Sequence, residues 1–188
     1  PMPAQDETLH TLTLAAGGTT VEIVPALGGK IATLRLAGRD WLWTSDAIAR
    51  RAPTEAQAAD DASYVETADT GGWDECFPTV GACRLPAGVP DVGGLALPDH
   101  GELWSQPAPT KAEPGGARAT TRWTGRRLAY ALTRTVAIDD DGAVRMDYAL
   151  TSHAATPIPF LWSSHPLLPL TPDTRLDLPV AARVRVWA

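Results

Sequence analysis

Residues 128–150 constrain the fold more than any other stretch of the chain. In LAYALTRTVAI, Leu128, Tyr130, Leu132, Arg134, Val136 and Ile138 share one side, and Ala129, Ala131, Thr133, Thr135 and Ala137 share the other. In AVRMDYAL, Val144, Met146, Tyr148 and Leu150 alternate with Arg145, Asp147 and Ala149. Successive side chains of an extended strand leave opposite faces, so a period of two over this length means two strands. Asp139-Asp140-Asp141-Gly142 lies between them and supplies turn residues. The pair reads as a β-hairpin.

The same period recurs in shorter runs. Strands are predicted at Leu9–Leu14, Thr19–Val24, Lys30–Leu36, Arg118–Thr124, Ile158–Ser163, Arg175–Leu178 and Arg183–Trp187. The 16 glycines and 17 prolines suit many turns between short strands. Helical character is confined to Asp46–Asp61, where Pro53 interrupts it, and this segment reads as a surface excursion. There is no internal repeat. The expected class is all-β, an antiparallel β-sandwich, and 188 residues fit one domain by the usual size of roughly 100–200 residues.

Charge narrows the partners. Against 22 acidic residues stand 16 basic ones, for a net charge of −6, and no basic tract occurs. Nucleic acid and anionic membrane surfaces both need a basic face, so neither is expected. No run approaches the roughly 20 apolar residues of a membrane helix, and the first residues lack a basic-plus-apolar leader, so a cytoplasmic protein is expected. Cys76 and Cys83 are neither a CxxC pair nor a disulfide framework and read as free thiols.

Three stretches carry candidate chemistry. GGWDECFPTV (Gly71–Val80) sets Trp73 beside two acids, Asp74 and Glu75, on a glycine-flanked backbone. With seven tryptophans against three tyrosines and two phenylalanines, indole faces for the C–H surfaces of sugar rings are plentiful. The plain alternative is core filling, which suits Trp41, Trp43, Trp123 and Trp187. In LPDHGELWSQP, a strand over Gly101–Ser105 would project His100, Glu102 and Trp104 to one side, with Asp99 placed to hold an imidazole nitrogen. In PFLWSSHPLL, hydroxyls and His165 close an apolar run before Pro166, with Trp162 just upstream. His10 and His153 lie in polar surroundings and read as surface residues.

In this order and spacing, GGWDECFPT, LPDHGELWSQP and PFLWSSHPLL resemble the galactose mutarotase-like family of aldose 1-epimerases, in its bacterial branch, from about Thr8 onward. The resemblance implies a large antiparallel β-sandwich, the galactose mutarotase-like supersandwich, of which the chain is the N-terminal two-thirds or so. It implies interconversion of the α and β anomers of a free aldose, without metal or other cofactor. It gives His165 the role of general acid and His100 a contact to the ring oxygen or a neighbouring hydroxyl. Trp73, Asp74, Glu75, Asp99, Glu102, Trp104 and Trp162 are the sugar-contact candidates. The family's general base is a glutamate on a late strand, and the chain stops at Ala188 before that region. Glu75 and Glu102 are the local carboxylates left to replace it, Glu102 being better placed. On that account feeble or absent mutarotation with residual sugar affinity is expected. The alternating final segment, ARVRVWA, offers an open strand for self-association.

Two further classes remain open at this stage. A non-catalytic carbohydrate-binding protein would keep the tryptophans and histidines and dispense with the base. A metal-dependent cupin-like barrel would draw on His100, Glu102 and His165, yet lacks paired H-x-H ligands. A glycosidase pair cannot be Asp74 with Glu75, because neighbours in an extended chain point to opposite faces. A shared sugar site requires the two imidazoles to lie within about 12 Å, the reach of one ring with hydrogen bonds of about 3 Å. Trp73 or Trp104 should wall that site, with Trp162 beneath or beside His165.

Overall fold

The computed structural model describes residues 9–44, 63–67 and 71–179, together with Ala181 and Arg183. Its strands, in chain order, are β1 (Leu12–Ala16), β2 (Thr19–Val24), β3 (Lys30–Leu36), β4 (Arg39–Asp40), β5 (Trp73–Cys76), β6 (Cys83–Arg84), β7 (Ala96–Leu97), β8 (Thr110–Ala112), β9 (Arg118–Thr124), β10 (Tyr130–Ile138), β11 (Val144–Ser152) and β12 (Ser163–Pro166). A single helical turn, α1 (Tyr64–Thr67), precedes β5. One sheet runs β1-β2-β3-β5-β12, with β4 also on β3; a second runs β11-β10-β9-β8; β6 and β7 form a ribbon. The protein is all-β, and every strand pairing is antiparallel.

The two larger sheets face each other across a shared apolar layer. Leu14, Val21, Ile23 and Ile31 come from the first, and Ala119, Val136 and Ile138 from the second. Burial of a side chain of this size is worth about 1.5–3 kcal/mol, so the alternation in these strands is what drives the sheets together. A second cluster under β9 and β10 holds Phe77, Leu103, Trp123, Leu128, Tyr130 and Leu132.

The hairpin forms in the register that its alternation requires, from Tyr130 opposite Ser152 to Ile138 opposite Val144. Arg134, on the apolar side by that alternation, is fully buried. It donates through Nη1 to Glu75 Oε1 at 3.3 Å and through Nη2 to the Gly29 carbonyl, and stacks on Trp123 at 5.3 Å. A buried guanidinium is tolerable only with such partners. The Arg134–Glu75 pair therefore clamps β10 to β5 across the sandwich.

Several expected strands moved. The first begins at Leu12 rather than Leu9. Ile158–Trp162 has no regular structure, because Pro157 and Pro159 remove backbone donors, and the strand starts at Ser163 instead. Arg175–Leu178 makes no ladder, and its Leu176 and Leu178 are exposed. Alternation without a neighbouring edge does not make a sheet. Trp41 and Trp43, expected in the core, are exposed, whereas Trp123 is buried. The helical reading of Asp46–Asp61 and the strand reading beyond Arg183, Trp187 included, lie outside the described residues. Among the described residues, no helix is long and apolar enough to cross a membrane.

Candidate active site

β5 was not legible as a strand, because neither of its faces is simply apolar. Trp73 and Glu75 point between the sheets, and Asp74 points to the other side. Gly72 feeds the strand at a φ of 74°, and a Cβ there would stand 2.5 Å from the Ile31 carbonyl oxygen. β12 lies alongside with His165 opposite Asp74 and Ser164 opposite Glu75. Directly opposed residues share a face, so the two strands present two separate polar clusters.

On the inner face, Glu75 accepts four side-chain donors. These are Arg134 at 3.3 Å, the Tyr148 hydroxyl at 2.6 Å, Trp162 Nε1 at 3.0 Å and the Ser164 hydroxyl at 3.2 Å. Burial, followed by the adjacent Glu75 charge, pushes the Tyr148 phenol well above its ordinary value. Trp162 packs on Tyr148 with ring centroids 4.8 Å apart. Trp162 is thus not beneath or beside His165; it belongs to the opposite face. Trp73 is on that face too, lining an open cavity of about 310 Å³ with Leu34, Val144, Met146, Tyr148 and Ser164.

On the outer face, the two expected histidines come together. The rings of His100 and His165 lie 5.1 Å apart at 87°, well inside the reach of one sugar ring. Tyr64 completes the cluster: it stacks on His100 at 4.3 Å and 16°, and meets His165 edge-on at 5.8 Å. Trp104 packs edge-on to Tyr64 at 5.3 Å and donates Nε1 to the Asp99 carbonyl, so it walls the cluster as expected. The Tyr64 hydroxyl donates to Asp74 Oδ2 at 2.7 Å, and Lys30 Nζ reaches the same oxygen at 2.5 Å and the Gly71 carbonyl at 2.6 Å. Asp74 therefore reaches the histidine face through Tyr64.

The histidine loop is not the expected strand. Residues 101–105 form a bridge, two bends and a turn, and His100 itself sits in the left-handed region at φ 57°. Such a conformation costs about 1–3 kcal/mol in a non-glycine residue and survives only where neighbours hold it. Here the His100 amide donates to the Val80 carbonyl, and Gly101 lies against Phe77, whose carbonyl accepts from the Glu102 amide at 2.9 Å. The consequence is a correction for Glu102, which does not share a face with His100 and Trp104. It is buried and accepts from the Arg126 and Arg127 amides and from the Tyr130 hydroxyl at 2.9, 3.1 and 2.8 Å. Burial first, and the Glu102 charge second, push the Tyr130 phenol up. With all three donors engaged, Glu102 is no replacement base, and the His100–Glu102–His165 metal set is not assembled. Among the described residues, no group of three or more histidine, cysteine, aspartate or glutamate side chains is placed to hold a metal ion.

The imidazoles differ in their surroundings. Asp99 Oδ1 lies 3.0 Å from His100 Nδ1, within ion-pair range but out of line for a hydrogen bond. His165 Nδ1 is buried without a hydrogen bond. Burial, then the neighbouring His100, lower the His165 pKa from its ordinary value, with Asp74 opposing. Both Nδ1 atoms are buried, which leaves Nε2 as the nitrogen each ring offers to a ligand. His10 and His153 are exposed, as expected.

No protein-family model matches the sequence, and no curated protein does. Among solved structures, the chain is similar to the crystal structure of the Slr1438 protein from Synechocystis sp. PCC 6803. The TM-score is 0.65 at 17% identity, over 85% of this chain and 54% of that one. The likeness is one of fold. This chain spans about half the length of that structure.

Lys30 and Tyr64 escaped the sequence reading. Lys30 carried one usable signal: it is one of only two lysines, at the head of an apolar strand. Tyr64 carried none, because what places it against His100 is contact across the fold.

Proposed function

We propose that the chain carries the acid–base site of an aldose 1-epimerase, acting on a free aldose by proton transfer at the ring oxygen and the anomeric hydroxyl. The observation that supports this best is the pair of imidazoles 5.1 Å apart, each with Nδ1 buried and Nε2 left for a ligand. Imidazole gives and recovers protons near neutrality, and each positioned acid or base is worth about 10²–10⁴-fold in rate. Tyr64 and Trp104, both buried, pack against the pair and hold the imidazoles in place.

A second reading, carbohydrate binding without catalysis, draws on a different observation. The buried carboxylates nearby, Asp74, Glu75 and Glu102, are all engaged by donors. Polarimetry on freshly dissolved α-D-glucose and α-D-galactose separates the two. Acceleration over the spontaneous rate, lost in His165→Ala and in His100→Ala, supports the epimerase. Sugar binding by calorimetry without acceleration supports the binding protein. Neither binding nor acceleration refutes both.

A further inference from the structure

Neither imidazole is oriented in the usual way. A histidine that works through Nε2 is commonly fixed by donating its Nδ1–H to a carboxylate or a backbone carbonyl. Here Nδ1 of His100 and Nδ1 of His165 are both buried and, among the described residues, have no hydrogen-bond partner. What the two rings share instead is Tyr64, face-on to His100 at 4.3 Å and 16° and edge-on to His165 at 5.8 Å and 84°. Their mutual placement, 5.1 Å apart at 87°, therefore depends on where the Tyr64 ring stands.

Tyr64 belongs to a single helical turn, which by itself fixes little. Its hydroxyl ties it to the sheet through Asp74 Oδ2 at 2.7 Å, and Lys30 Nζ holds the same oxygen at 2.5 Å. The strand ladder explains why those groups meet. Ile31 of β3 pairs with Trp73 of β5, so the next antiparallel rung sets Lys30 against Asp74, and Asp74 stands opposite His165 of β12. Opposed residues share a face, so Lys30, Asp74 and His165 form one row over three neighbouring strands about 4.8 Å apart. Lys30, Asp74 and Tyr64 are all buried, so water does not compete for the bonds that join them.

We infer that Lys30, Asp74 and Tyr64 are positioning residues: the ion pair anchors the Tyr64 hydroxyl, and the anchored ring sets the distance and angle between the two imidazoles. The catalytic meaning of that placement rests on the proposed epimerase reaction, whereas the placement itself does not. Asp74, expected as a sugar contact, acts through Tyr64 instead. Proton transfer is sensitive to such a device, since a misplacement of about 1 Å can cost about 10²-fold in rate.

Carbon–proton correlation spectra of the imidazole side chains in the 188-residue chain read this placement, because the aromatic ring currents of neighbours displace the signals. Tyr64→Phe keeps the ring and deletes its anchor. The expected result is that the ring signals of both His100 and His165 move, and that Lys30→Met moves the same signals in the same direction. Val136→Ala, inside the sandwich on β10, lowers stability and leaves those signals in place. Urea midpoints of the variants separate lost stability from displaced rings, and Tyr64→Phe decides alone if circular dichroism shows Lys30→Met unfolded. Imidazole signals unmoved in Tyr64→Phe, or moved as much by Val136→Ala, overturn the inference. Polarimetry on the same samples keeps the two ideas apart. If the epimerase reading holds, Tyr64→Phe lowers kcat by about 10- to 100-fold with KM little changed, because alignment is lost rather than a contact to the sugar. Wild-type chain without mutarotation, whose imidazole signals still move in Tyr64→Phe, sinks the epimerase reading and leaves the positioning role standing. Mutarotation at an unaltered rate in Tyr64→Phe does the reverse.

Discussion

Removing the Glu75 carboxylate should cost more stability than almost any other single change. In Glu75→Ala, the Arg134 guanidinium, fully buried, keeps only the Gly29 carbonyl and the Trp123 ring as partners. Stranding one member of a buried ion pair costs about 3–5 kcal/mol. The lost partners of Tyr148 and Ser164 add to this, since both are half-buried, whereas Trp162 is exposed enough for water to replace its bond. We expect a loss of about 4 kcal/mol or more, against total stabilities of about 5–15 kcal/mol for domains of this kind. Glu75→Gln keeps an acceptor and should lose about half as much, because charge-assisted hydrogen bonds are roughly twice as strong as neutral ones. The double variant Glu75→Ala with Arg134→Met should be more stable than Glu75→Ala alone, since no charge is left behind. Urea unfolding followed by tryptophan fluorescence measures this, with a midpoint shift of more than about 1 M at slopes of about 1–3 kcal/mol/M. A Glu75→Ala loss below about 1 kcal/mol, or a double variant as unstable as the sum of its singles, would refute the clamp.

Cys76 is buried, and burial followed by the Asp74 charge pushes its thiol up to about 12, whereas Cys83 is exposed. A thiol reagent at pH 8 should therefore modify one cysteine in the native chain and two in urea, counted by absorbance. Gly101→Ala should destabilise by about 2 kcal/mol or more, because φ is 73° and the new Cβ would stand 2.2 Å from the Phe77 carbonyl oxygen. It should also displace His100, read as lost sugar binding in calorimetry. His165 has a lowered pKa in the fold, so between that value and about 6.5 the unfolded chain binds more protons than the native one. Stability should fall as pH drops from about 6.5 toward the lowered value, and the slope between pH 7 and 5.5 should flatten in His165→Gln. Unfolding midpoints across that range check it.

The hairpin and the paired strands around it were legible because burial of one face writes its period directly into the residues. β2, β3 and β9 begin and end where the alternation does. The two histidines were legible as candidates because each stands beside unusual neighbours, Asp99 and Gly101 for one, two serines and a proline for the other. What the chain could not reveal locally was which face each polar group occupies. β5 has buried polar groups on both sides, so its alternation carries no apolar signal, and Asp74 and Glu75 found separate partners on separate faces. Glu102 turned inward because Gly101 and the left-handed His100 break the strand that would have aligned it with the imidazole. Tyr64 came to rest on His100 through a contact between residues 36 positions apart. Local sequence determines which segments extend and which side is apolar. Long-range packing decides which polar groups meet, since a buried donor or acceptor takes whatever partner the closing of the sandwich brings within reach.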